Sequence, residues 1–204
     1  SMEQTHRQFA AMLAAARERL SRHTPEDTAA RCGARLEDGR IVLETLGQTV
    51  RVQLPECELT PRLSSWHTLT LLHYLDLSDG TPPCGTPIPF SQHTDGLVRG
   101  AGLDRNAELI IRRELGVLPP EELKRRCASL GAAFVPSNAD FCARFSFAPQ
   151  YPLWLKVWFS DEELPASGRL LLDQTAPHHL AIEDAVTVGS LILDHLTGAA
   201  HWSA

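Results

Sequence analysis

The sequence predicts an α+β domain: an antiparallel sheet of about five strands packed against several helices, one of them central and buried. Three observations carry this expectation. Residues 140–148, "DFCARFSFA", and 151–160, "YPLWLKVWFS", alternate side chains at the strand period of two. Residues 39–56, "GRIVLETLGQTVRVQLPE", read as a hairpin, with alternation on both sides of Gly47. Residues 64–77, "SSWHTLTLLHYLDL", carry apolar side chains in nearly every helical direction, which marks a helix enclosed by others. A single domain spanning 1–204 follows, with 1–24 as an amphipathic helix and a candidate appendage.

The elements can be justified in order. Phe9, Met12, Leu13, Ala16 and Leu20 repeat at helical spacing. Thr24 before Pro25, with Asp27 three residues on, starts a short second helix. The hairpin follows, then the apolar helix, opened by Ser64 or Ser65. Next comes "TPPCGTPIPFSQHTDG", residues 81–96, whose X-Pro steps favour stiff extended backbone. Asp104 and Pro119 or Pro120 are the expected starts of two further helices, and Gly116 and Gly131 their stops. In the two long strands Phe141, Ala143, Phe145 and Phe147 share one face with Leu153, Leu155, Val157 and Phe159 as its counterpart. "GRLLLDQTA" is a shorter strand, and a last helix runs from about Ile182 to Leu196.

Composition excludes several functions. A net charge of −6 argues against a nucleic-acid binder, which needs a basic excess to neutralise phosphates. No apolar run approaches the ~20 residues of a membrane span, and the opening residues lack a secretory pattern, so the cytoplasm is the expected compartment. Cys32, Cys57, Cys84, Cys127 and Cys142 are widely spaced, with no C-x-x-C pair. They are expected to be reduced thiols, and no Fe–S cluster or metal is expected on this chain. Glycine-rich nucleotide loops, G-x-S-x-G and H-E-x-x-H do not occur.

Among candidate site residues, Cys84, His93 and Asp95 share one loop, but groups so close in sequence rarely converge as a nucleophile and its base. His67 and His73 stand six apart on the apolar helix and point to different faces. His73 reads either as a hydrogen-bonded core residue or as an acid–base group. His178 and His179 are adjacent, so at most one faces inward. Asp161 and Glu162, beside Glu163, follow the second long strand and Asp173 ends the next. They are candidates for acid–base or cation chemistry, against the plainer reading of a solvated turn and a cap. The strongest binding signal is one strand face bearing Trp154, Lys156 and Trp158, which Arg144 is expected to join. Indoles flanking cations suit a flat anionic ligand, while helices covering the face would make it ordinary packing.

Leu71, Leu72, Tyr74 and Leu75, then Gly85 and Phe90, then Pro152, Trp158, Asp161, Glu162, Pro165, Asp173, Leu180, Glu183 and Asp184 match a larger pattern. On these positions the chain, from about residue 28 onward, resembles the domain-of-unknown-function 3786 family of anaerobic bacteria and archaea. Some members are labelled Fe–S or corrinoid-associated. The resemblance implies an accessory role in anaerobic cofactor metabolism and carries no reaction with it. Two functional readings stand. One is a binding protein for a planar anionic cofactor of tetrapyrrole or corrinoid kind, or for a cofactor-carrying partner, in a cleft between sheet and buried helix. The other is a small-molecule enzyme using His73 with Asp161, Glu162 or Asp173. A purely structural interaction module, without a deep cleft, is the third.

Overall fold

A computed structural model of the chain describes residues 1–199; the last five residues of the expected 1–204 domain lie outside the described residues. The helices are α1 (Met2–Leu20), α2 (Pro25–Cys32), α3 (Ser65–Leu77), α4 (Arg99–Ile110), α5 (Pro120–Ala128) and α6 (Ile182–Thr197). One four-stranded antiparallel sheet runs in the order β1 (Arg35–Glu37), β2 (Arg40–Thr45), β3 (Gln48–Gln53), β4 (Glu58–Thr60). The second has five strands: β5 (Pro87–Ile88), β9 (Ser167–Asp173), β8 (Tyr151–Trp158), β7 (Phe141–Ala148) and β6 (Ala133–Phe134), in that spatial order. The architecture is α+β.

The hairpin of 39–56 forms, but in its own sheet rather than in the main one. Short strands flank it on both sides and take its free edges. Its two-residue turn, Leu46-Gly47, has φ of 46° and 83°, the doubly left-handed geometry that suits a tight hairpin. Leu46 of this turn is buried and its N–H donates to the Ser146 carbonyl at 2.8 Å, so the hairpin docks end-on against β7. Gly47 lies against Gly131, with no room between them for a side chain.

α3 is the enclosed helix. Leu69, Leu71, Leu72, Tyr74 and Leu75 are all essentially inaccessible, and each buried leucine contributes roughly 2 kcal/mol over its exposed state. α1 packs along it, with Phe9 edge-on to Trp66 at 5.3 Å and Arg19 bonded to Asp76. Thr24 caps α2 by accepting from Asp27 N–H at 3.1 Å. The inward residues of β7 and β8, Phe145, Phe147, Leu153, Leu155 and Val157, face this helical layer and are fully buried.

Asp104 does not start a helix. α4 begins at Arg99, and Asp104 sits within it, its carboxylate accepting from the amides of Phe90 and Ser91 at 2.9 and 3.0 Å. The helix therefore grips the proline loop instead of being capped by its own aspartate. At its far end α4 widens into a π turn, Ile111–Leu115, closed by Gly116 N–H on the Ile111 carbonyl.

Candidate functional site

Alternation along β8 decides what each face does. Tyr151, Leu153, Leu155 and Val157 point into the core, and Pro152, Trp154, Lys156 and Trp158 point the other way, half-buried. Cross-strand register adds Arg144 beside Trp154 on β7, and Leu171, Arg169 and Ser167 beside Trp154, Lys156 and Trp158 on β9. Arg144, Ser146, Ser167 and Arg169 are exposed, so among the described residues no helix covers this part of the face. The space between the sheet and α3 is filled core. The cleft expected there lies on the opposite, outer face, because the apolar side of the sheet is consumed in packing.

That outer cleft has a volume of about 760 Å³. Trp158, Leu171 and Gly168 line it together with Pro87, Pro89 and Pro165. Lys156, Arg169 and Arg112 supply three cations against one carboxylate, Glu108. Lys156 Nζ donates to Asn138 Oδ1 at 3.1 Å, and Arg169 reaches Glu108 only at 3.9 Å. Arg112, on the π turn, also lines the cleft, and such turns recur at functional positions. Of the four sequence-expected contact residues, Lys156 and Trp158 line the cleft, while Arg144 and Trp154 share its face one step away. Arg169 was legible only once its strand's register was known, and Arg112 looked like any exposed helical arginine.

The candidate acid–base residues do not gather. His73 Nδ1–H donates to Asp184 at 2.8 Å, joining α3 to the first turn of α6. Asp161 accepts from the amides of Glu163 and Leu164, which hold its carboxyl below the usual range and fold the turn after β8; Glu162 is exposed there. Asp173 stands at the other end of β9, six residues from Ser167 and so roughly 20 Å from that turn. It is buried and accepts from the amides of Cys84, Gly85 and Thr175. Burial pushes the Asp173 carboxyl up, but these bonds and the Thr175 hydroxyl outweigh it and hold it below the ordinary value. Asp173 is the anchor of the 81–96 loop.

In that loop, the exposed Cys84 Sγ lies 3.5 Å from Asp173, while the buried His93 faces the carbonyls of Thr94 and Leu180. The two do not form a dyad. A serine–histidine contact does occur elsewhere: Ser78 Oγ–H donates to His179 Nδ1 at 2.7 Å, and His179 Nε2–H donates to the Thr81 carbonyl. Both residues are buried in a network with Gln150 and Arg31, which makes it a structural tie. His178 is exposed and pairs with Asp79. His67 is buried against Thr45, and desolvation lowers its imidazole to about 4.

Fold and cleft together define an α+β protein whose outer sheet face presents a cation-rich cleft lined by prolines and an indole. The chain belongs to the family described as Domain of unknown function (DUF3786), whose sequence model matches residues 24–195. It matches no curated protein and no solved structure. Among the described residues no three His, Cys, Asp or Glu side chains are placed to hold a metal ion, and no helix is long and apolar enough to cross a membrane.

Proposed function

We propose that the protein is a non-catalytic binding or accessory protein, and that its outer cleft takes a flat, anionic ligand. The observation carrying this reading is the meeting of Trp158, Lys156, Arg169 and Arg112 in one cleft of cofactor-sized volume on an uncovered sheet face. The indole offers a stacking surface, and the cations, held on strands and a helix, offer fixed charge at its rim. A tetrapyrrole or corrinoid-related cofactor, free or carried by a partner, is the ligand class that the anaerobe-associated family suggests. The residues suit such a ring and its carboxylates. They supply no axial histidine, cysteine or methionine at the cleft, so the ring face and the acidic arms would be the parts held, and the metal's own chemistry would stay outside this protein's control. The dispersal of His73, Asp161, Glu162 and Asp173 favours binding over acid–base catalysis.

The test is direct. Protein purified without oxygen is titrated with a free-base porphyrin carboxylate and with a corrinoid, following tryptophan fluorescence and the ligand's absorption band. Saturable quenching is expected, weakened about tenfold or more by Trp158→Ala. Absence of saturation with both ligands, or equal affinity in Trp158→Ala, defeats the proposal.

A further inference from the structure

Lys156 and Arg169 are direct cross-strand partners on one face of β8 and β9. Side chains so placed have β-carbons about 5 Å apart, and like charges in that position destabilise a sheet. The neighbours relieve this little: Glu108 is 3.9 Å from Arg169, Asn138 is neutral, and Arg112 adds a third cation across the cleft. Like charges directly opposite are unfavourable for the sheet, and an anion seated between the two side chains would remove the repulsion.

Resting on the binding reading above, we infer that Lys156 and Arg169, with Arg112 closing from the π turn, form the seat of a doubly charged oxyanion carried by the ligand. The arginine fork suits two oxygens at once, and the lysine places a point charge beside them. A phosphoryl group and a pair of neighbouring carboxylates share this chemistry. The indole of Trp158 then meets the rest of the ligand, so the two halves of the site are separable.

Isothermal titration of the full chain with inorganic phosphate, and separately with malonate, at fixed low ionic strength, tests the seat without any ring. Binding of one or both is expected; the tighter names the source, phosphoryl or dicarboxylate. Lys156→Ala and Arg169→Gln should each weaken it by roughly tenfold or more. Arg169 is exposed and Lys156 lies half-buried on the outer face, away from the core, so both variants should fold. In anion-free buffer each should melt at or above the parent temperature, the reverse of what a stabilising surface residue would give. No heat with either anion, or affinity unaltered in both charge variants, overturns the seat. Anion binding that persists when no flat ligand binds upholds the seat and refutes only the planar-ligand reading. Flat-ligand binding indifferent to Lys156→Ala and Arg169→Gln does the opposite.

Discussion

Replacing Gly47 by alanine should unsettle the joint between the two sheets. The position has φ of +83°, where a β-carbon costs about 1 kcal/mol. A β-carbon there would also sit 2.8 Å from Gly131 N and 2.9 Å from the Leu130 carbonyl carbon, both backbone atoms rather than the ends of flexible side chains. Pushing the hairpin tip off that segment is an overpacking event of about 1–3 kcal/mol. Gly47→Ala should therefore cost about 2–4 kcal/mol in all. Gly39 provides the control: its φ is +75°, and nothing lies within 4 Å of its added carbon. Gly39→Ala should lose only the conformational part, about 1 kcal/mol. Urea unfolding of the two variants beside the parent measures the difference. If they fall within about 0.5 kcal/mol of each other, the claimed close packing of tip against Gly131 is wrong.

Three further outcomes are expected. Desolvated His67, at about 4 against 6.5 in the unfolded chain, binds its proton more weakly when folded; its contribution is therefore whole above about pH 6.5 and drains as pH falls toward 4, by on the order of 3 kcal/mol. His67→Gln should flatten that limb of the stability–pH curve, and an unchanged slope would contradict it. Asp173→Asn should cost about 2–4 kcal/mol in urea unfolding, since an amide cannot accept all the bonds from Cys84, Gly85 and Thr175. The depressed Asp173 carboxyl contributes above its unfolded pKa near 4 and loses that contribution as pH falls through the lower folded value, so the variant should also be less acid-sensitive below pH 4. Of the five thiols, Cys84 alone is exposed, while burial pushes Cys32 and Cys127 to about 12 and Cys57 to about 11. A thiol reagent should therefore modify one cysteine quickly and four only on unfolding; two fast sites would refute this assignment.

What the sequence shows of this fold follows the range of each signal. Period-two alternation over eight residues makes β7 and β8 and their two faces readable, and an apolar surface in every direction marks α3 as enclosed. Two- and three-residue strands such as β5 and β6 offer no period to read, and they exist because longer neighbours recruit them. The hairpin was visible as a hairpin, but its membership of a separate sheet depends on the buried tip at Leu46, a tertiary contact. Asp104 was misplaced because a carboxylate near a helix start looks the same whether it caps its own helix or a neighbouring loop. The aromatic half of the cleft, Trp158 with Lys156, lay on one strand and so was legible. The cationic half needed the β8–β9 register and the π turn, which no local pattern encodes. Asp173 and Cys84 lie in separate local patterns, and the bond between them spans 89 residues.

The packing of α1 on α3 bears on how this protein can be trimmed. A fragment cut at the family limits, 24–195, would discard Phe9, Ala16, Leu20 and Arg19, the residues that cover one side of α3. It would also remove Leu196, a fully buried residue of α6, together with the carbonyl to which Arg126 of α5 donates. Such a fragment would present a fresh apolar strip along its most buried helix, with self-association as the foreseeable result. The recurring part of the sequence and the part that folds cleanly thus have different ends, and the first helix belongs with the second.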